Sequence, residues 1–272
     1  MGEKSVGNLV IIGGNEDKEE DCLILKKIVD LAGGKDSEIA VIPTATLYPQ
    51  EAGLQYQDIF YDLGASKVEV LDIQTREHAN SPDISEKLNK FTGVFFTGGD
   101  QLRITSILGG TKFDGVLHEC YRSGTVIAGT SAGAAAITDT MIVEGIDETS
   151  PAKNSVALSH GLGFLKEAAI DQHFAQRGRI GRLLSAVAQN PFIIGLGIDE
   201  DTAVVVNDKS QMSVEGSGTV TVIDGQTIAN TNVSEEADNQ PLALTNLTLH
   251  VLPANYSFDL YHRKSLLNKE EG

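Results

Sequence analysis

Thr125-Val126-Ile127-Ala128-Gly129-Thr130-Ser131-Ala132-Gly133-Ala134-Ala135-Ala136-Ile137 decides how the rest of this chain is read. A β-branched run enters the stretch, small residues fill its middle and an alanine-rich run leaves it. That order predicts a buried strand, a sharp turn and a helix. Gly129-Thr130-Ser131-Ala132-Gly133 fits the G-x-S-x-G nucleophile elbow, in which small flanking residues let the backbone fold tightly and hold a serine hydroxyl out at a strand end. A helix starting at Ala132 would turn its free N–H groups and positive dipole end toward developing negative charge. The competing reading is a glycine-lined turn packed closely on a neighbouring strand.

Outward from the elbow, short apolar runs bounded by Gly or Pro recur at Leu9–Ile12, Ile39–Ile42, Val68–Leu71, Val94–Phe96, Val126–Ala128, Ala168–Ile170 and Ile193–Ile198. They read as buried strands. Helical patterns lie between several of them. From Glu19 to Ala32, for example, Cys22, Leu25, Ile28, Val29, Leu31 and Ala32 approximate one apolar stripe before the stop signal Gly33-Gly34. Alternating strands and helices imply an α/β fold, with right-handed crossovers and a largely parallel sheet flanked by helices on both faces. Such sheets carry functional groups at the C-terminal ends of their strands. From about Thr202 the texture changes: Ala203–Val206, Thr219–Ile223 and Leu244–Leu252 come with turn signals and no long helix, which predicts a C-terminal antiparallel β extension. With no Pro- or Ser-rich linker and no internal repeat, residues 1–272 are expected to form a single α/β domain.

Composition narrows the function. The 272 residues carry 21 Lys+Arg against 38 Asp+Glu, a net charge of 21 − 38 = −17, so a surface built for nucleic acid or anionic lipid is not expected. Cys22 and Cys120 neither staple a fold of this size nor make a zinc site, which suits a reducing compartment. Met1-Gly2-Glu3-Lys4 runs into Asn8-Leu9-Val10-Ile11-Ile12 with no leader pattern, and no apolar stretch approaches the roughly 18 residues a membrane span needs. A soluble cytoplasmic protein is the expectation. The pair Gly13-Gly14 lacks the full G-x-G-x-x-G spacing, so no nicotinamide site is expected, and nothing in the chain calls for a metal or another cofactor.

A nucleophilic serine needs a base. Of the six histidines, His118 falls inside the helical pattern Asp114–Tyr121 and His250 inside an alternating strand pattern. His78, His160 and His262 sit in connections or at strand ends. His173 follows the strand Ala168-Ala169-Ile170-Asp171 and precedes a helix expected near Arg177, which places it at the same sheet edge as Ser131. The imidazole in turn needs a carboxylate. Asp199-Glu200-Asp201 ends the strand Ile193–Ile198, and the residues alone do not choose among the three. Thr97-Gly98-Gly99-Asp100 follows another buried strand, and the Gly99 N–H could join that of Ala132 in an oxyanion hole. Finally, Arg177, Arg179 and Arg182 cluster beside His173 in an otherwise acidic chain. Their planar forks suit substrate carboxylates, the alternative being surface ion pairs of little consequence.

Taken together, Ile11-Ile12-Gly13-Gly14-Asn15-Glu16-Asp17-Lys18, Thr97-Gly98-Gly99-Asp100-Gln101-Leu102-Arg103, Ala128-Gly129-Thr130-Ser131-Ala132-Gly133-Ala134, Asp171-Gln172-His173-Phe174 and Gly197-Ile198-Asp199-Glu200-Asp201-Thr202 resemble the motifs of cyanophycinase, in that family's order and over nearly the full length. The family is a branch of the serine peptidases that includes bacterial aspartyl dipeptidase, on a fold related to class I glutamine amidotransferases. The resemblance implies hydrolysis of cyanophycin, a poly-aspartate bearing arginine on each β-carboxyl group, to β-Asp-Arg dipeptides by a homodimer. It also implies Ser131 as nucleophile, His173 as base and Glu200 as the orienting acid. Substrate binding is implied for Gln101, Arg103, Gln172, Arg177, Arg179 and Arg182, with Asp100 counted among them. The stretch Glu148 to Ser159 carries no motif of the family and reads as a variable loop beside the elbow. Rival expectations are a peptidase of the same branch acting on small Asp or isoaspartyl peptides, and a non-catalytic binding protein of the same fold.

Overall fold

Leu9-Val10-Ile11-Ile12 is apolar and buried at every position, as a strand covered on both faces must be. It is β1 of a computed structural model that describes residues 6–145 and 150–266. Met1–Lys4 and the Glu148-Thr149 start of the expected variable loop lie outside the described residues. The strands that follow are β2 (Glu38–Ile42), β3 (Lys67–Val70), β4 (Gly93–Phe96), β5 (Val126–Thr130), β6 (Thr138–Gly145), β7 (Val156–His160), β8 (Leu165–Gln172) and β9 (Ile194–Ile198). After them come β10 (Thr202–Val206), β11 (Gln211–Gly216), β12 (Thr219–Asp224), β13 (Asn230–Thr231), β14 (Leu244–Thr245), β15 (Thr248–Pro253), β16 (Ser257–Asp259) and β17 (Lys264–Leu266). The helices are α1 (Leu23–Leu31), α2 (Pro49–Asp62), α3 (Arg76–Ala79), α4 (Pro82–Leu88), α5 (Gln101–Leu108), α6 (Lys112–Arg122), α7 (Ala132–Ile137) and α8 (Ile180–Gln189).

The α/β class and the antiparallel C-terminal extension match the expectation. The sheet does not stay single. A nine-stranded sheet runs β17-β16-β11-β10-β1-β5-β4-β2-β3, parallel from β1 to β3 and antiparallel from β1 to β17. A separate six-stranded sheet runs β15-β12-β9-β8-β6-β7, with β9, β8 and β6 parallel. The predicted strands at 168–170, 193–198 and 219–223 therefore belong to a second layer. An apolar run specifies burial and does not name the strand it pairs with.

The two-residue period of the strands sorts the core. Leu9 and Ile11 of β1, Ile42 of β2 and Phe96 of β4 face α5, α6 and the second sheet, where they meet Leu117, Leu196 and Val222. Their neighbours Val10, Ile12, Val41 and Phe95 face α1 and α2, where they meet Leu25, Ile28 and Phe60. Burying one such side chain is worth about 2 kcal/mol, so a charge at any of these alternating positions would be strongly destabilising. α8 covers the far face of the second sheet with Leu183, Ala186 and Val187 against Ile142, Ala169 and Ile223.

Two expected boundaries move. α1 begins at Leu23 because the Asp17 carboxylate accepts the N–H groups of Glu19, Glu20 and Cys22 and holds that stretch as a loop. α8 begins at Ile180 because residues 173–179 are spent on tight turns. Within the expected variable loop, Val156–Ser159 is strand β7, paired with β6.

Strand register then places the site. Ile12 pairs with Thr130 and Phe96 with Gly129, so the chain leaves β1, β5 and β4 at one edge. Gln172 pairs with Ile198, so His173 and Asp199 leave the second sheet together.

Candidate active site

The elbow is built by sterics. A Cβ on Gly129 would lie 2.6 Å from the Gly133 carbonyl carbon, and one on Gly133 would lie 2.4 Å from the Phe96 carbonyl oxygen. Ser131 takes φ 52°, ψ −110°, a conformation that non-glycine residues avoid, and its N–H donates to Ile12 O at 3.0 Å. The 97–100 loop lies alongside: a Cβ on Gly98 would be 3.5 Å from Ser131 Cβ. Gly99 holds φ +142°, and a Cβ there would meet Ala45 O at 2.3 Å. The backbone segments expected to supply oxyanion donors, Gly99 and Ala132, thus border the serine.

The base and acid are built by hydrogen bonds. His173, at φ 51°, donates its backbone N–H to Gly13 O at 2.8 Å. Its Nδ1 lies 2.7 Å from Glu200 Oε1 and its Nε2 lies 2.9 Å from Ser131 Oγ. With the Nδ1 proton given to Glu200, Nε2 is left to accept from the serine. The three candidate acids separate by what they touch. Asp199 accepts the Ala175 N–H on one oxygen and the Thr219 N–H and hydroxyl on the other. Asp201 accepts from Asp17 N–H and the Ser217 hydroxyl. Both pin loops, and only Glu200 reaches the imidazole. The hydrogen bond from His173 holds the Glu200 carboxyl below its usual range, helped by Asn15 Nδ2 at 3.1 Å and by the charge of Arg177, against a modest opposing effect of burial.

Sequence reasoning missed the loop after β1 as part of this machinery. Gly13 N–H donates to Thr202 O at 2.8 Å, and Gly14 O accepts from Asp201 N–H at 2.9 Å. A Cβ on Gly13 would lie 2.0 Å from Asp199 O, and one on Gly14, at φ +101°, would lie 2.3 Å from His173 Cε1. The paired glycines let the edges of both sheets close on one another. Asn15 at φ 47° completes the loop by holding Glu200. The signal was present as Gly-Gly-Asn-Glu-Asp, but its partners lie far along the chain.

The expected substrate residues divide. Arg177 is exposed, and its charge acts on Glu200. Arg179 and Arg182, expected to grip substrate carboxylates, are 5 % and 6 % exposed and turn onto Asp171, which is 0 % exposed. A carboxylate placed inside a strand must be paired there, and these guanidiniums supply the pairing. Arg179 also donates to Gln172 O at 2.7 Å. Gln172 is 7 % exposed, with Oε1 buried and without a hydrogen-bond partner among the described residues. Gln101 is anchored as well, its Nε2 donating to Ile142 O and Val143 O at 3.0 and 2.8 Å. Arg103 donates to Thr44 O and Gln74 Oε1. Asp100 caps α5 through Leu102 N–H. Arg103, Gly99 and Asp100 line a cleft with Ala45, Leu47 and Tyr48, the last two strongly exposed.

Against known proteins, residues 9–214 match the model of peptidase family S51. The chain is 40 % identical over 259 residues to a cyanophycinase of a Nostoc species, covering 95 % of this chain and 87 % of that one. It is 41 % identical to a cyanophycinase of Geminocystis herdmanii, covering 95 % and 94 %. Among solved structures it resembles a peptidase from an acI-B1 Actinobacterium, at a TM-score of 0.70 and 20 % identity over 94 % of this chain and 98 % of that one. At that identity the likeness speaks for the fold.

Proposed function

The chain belongs to peptidase family S51, and we propose that it is a cytoplasmic serine-type exopeptidase, a single peptidase domain acting as a homodimer, that cleaves cyanophycin to β-Asp-Arg dipeptides. The observation that carries the reading is the chain of contacts from Ser131 Oγ to His173 Nε2 at 2.9 Å and from His173 Nδ1 to Glu200 Oε1 at 2.7 Å. His173 takes the serine proton as Oγ attacks an Asp–Asp backbone carbonyl. Glu200 holds the imidazole in the receptive tautomer and stabilises its protonated form. The N–H groups of Ala132 and Gly99 hold the oxyanion, each worth about 3 kcal/mol in the transition state. Collapse releases the leaving amine, which takes its proton from His173, and water hydrolyses the acyl-enzyme by the reverse of these proton transfers.

Substrate recognition is assigned to Arg177, exposed beside the acid, with Gln172 backing the site from the strand end just before His173. Gln101, Arg179 and Arg182 shape the site through the anchors described above. Asp100, Tyr48 and Arg103 border the cleft suited to the arginine arm of the substrate. Among the described residues no helix is long and apolar enough to cross a membrane.

The test is incubation with purified cyanophycin and mass analysis of the products. The parent protein is expected to release β-Asp-Arg and Ser131→Ala to release none. Hydrolysis of short α-aspartyl dipeptides in place of the polymer would move the assignment to an aspartyl dipeptidase. Sedimentation of the native protein checks the dimer, and a monomer at working concentration would remove that part.

A further inference from the structure

We propose that Glu16 is a positioning residue that holds both ends of the triad at once, through Thr130 on the nucleophile side and Asn15 on the acid side; this rests on the triad reading above. Glu16 is 3 % exposed. Its Oε2 accepts the Thr130 hydroxyl at 2.5 Å, and its Oε1 accepts the Tyr56 hydroxyl at 2.5 Å and faces Lys18 Nζ at 3.1 Å. Thr130 is the last residue of β5, and the next residue, Ser131, holds φ 52°. A strained backbone of this kind persists only where the surroundings over-determine it, and the Thr130 tether to Glu16 does so from below the elbow. On the other side, Asn15 immediately precedes Glu16, holds φ 47° and gives its amide to Glu200. Fixing the Glu16 carboxylate therefore fixes the backbone from which Asn15 reaches the acid.

The other oxygen of the carboxylate serves packing: Tyr56, bound to Oε1, sets its ring 4.6 Å from that of Phe95 in the apolar layer under α2. Nothing about stability alone calls for a buried carboxylate here, since apolar groups of the same shape serve a core as well or better. Its worth lies in geometry: reacting groups must be held within a fraction of an ångström, and a rigid second layer does this.

The experiment reads the rate at which a serine-directed fluorophosphonate labels Ser131, together with melting temperature, so it is independent of the natural substrate. Thr130→Val keeps a strand-favouring shape and removes the tether to the serine. Tyr56→Phe removes an equally buried hydrogen bond from the other oxygen, with no direct link to the triad. Glu16→Gln loses the charge that meets Lys18. Per folded molecule, labelling is expected to slow about tenfold in Thr130→Val and about 100-fold in Glu16→Gln, and to stay within about twofold of the parent in Tyr56→Phe even where its melting temperature falls. Unchanged labelling in Thr130→Val, or equal slowing in Thr130→Val and Tyr56→Phe, would make Glu16 a stability residue and overturn the proposal. Should Glu16→Gln fail to fold, the other two variants decide it. A parent protein that resists labelling altogether would overturn the triad reading and this proposal with it, whereas labelling without cyanophycin turnover would remove only the substrate assignment.

Discussion

Ser131 and His173 are hydrogen-bonded to one another yet come from different sheets and are held by different physics. The nucleophile leaves β5 of the nine-stranded sheet, and what chiefly shapes its turn is the absence of atoms, above the Thr130–Glu16 hydrogen bond: Gly129, Gly133 and Gly98 leave no room for a Cβ or allow a close approach. The base and acid leave β8 and β9 of the six-stranded sheet, and what shapes their turns is added polar contact. Asp199 ties the chain after His173 to Thr219, Asp201 ties Asp17 to Ser217, and Asn15 and Gln176 hold Glu200 by side chain and backbone. A turn shaped by glycines tolerates no enlargement, and the cost of enlarging it does not depend on pH. A polar turn tolerates shape changes better and answers to proton activity.

The sharpest break falls on the polar half. Glu200→Gln keeps the shape of the acid but removes the charge that fixes the His173 tautomer, and kcat is expected to fall about 10⁴-fold with KM little changed. Steady-state kinetics on cyanophycin check this, and a loss under tenfold would deny Glu200 its role. On the steric half, Gly133→Ala puts a methyl 2.4 Å from Phe96 O, which must move. Overpacking of that kind costs about 1–3 kcal/mol, and a displaced elbow costs about 100-fold in rate. Denaturant unfolding and kinetics are read together: the rate loss should be the same at every pH. Asn15→Ala is milder, about tenfold, because the His173 hydrogen bond to the Glu200 carboxylate remains. Here a titration moves. The folded Glu200 carboxyl sits below its usual range in part because Asn15 donates to it, so losing Asn15 should let it rise toward the ordinary carboxylate range, as read by NMR titration of the Glu200 carboxyl. An unshifted Glu200 titration would break the contrast between the halves.

How far the chain announced this arrangement follows the same division. β1, β4 and β5 were legible because strands buried on both faces are largely apolar, and the elbow because Gly129 and Gly133 bracket the serine within five residues. The second sheet was not legible, since apolar runs carry no label of their partners. Asn15 and Glu200 are 185 residues apart and Glu16 and Thr130 are 114 apart, so no local pattern links them. Asp199, Glu200 and Asp201 are chemically near-equivalent neighbours, and only contact distinguishes the orienting acid from the two loop ties. The arginines beside His173 were read by charge, which says nothing of burial. The overlooked signal was Asp171, a carboxylate that directly follows the apolar run Ala168-Ala169-Ile170 within the same buried strand, where an unpaired charge would be prohibitive.

The smallest effect tests whether acid sensitivity extends beyond the triad into the loop that serves it. Asp17 accepts backbone N–H groups from Glu19, Glu20 and Cys22, and these bonds lower its pKa from 3.8 to about 2. A carboxyl depressed in the folded state contributes stability above its unfolded pKa and loses it as pH falls through the folded value. Asp17→Asn retains one acceptor oxygen and loses the charge, so its melting temperature should lie a few degrees below the parent's near neutral pH. The two should converge as pH falls from about 4 toward about 2. Thermal melts across that window check it. A gap that persisted at the acid end would mean that Asp17 supports the loop by shape, which would place the Gly13–Lys18 segment with the steric half of the site.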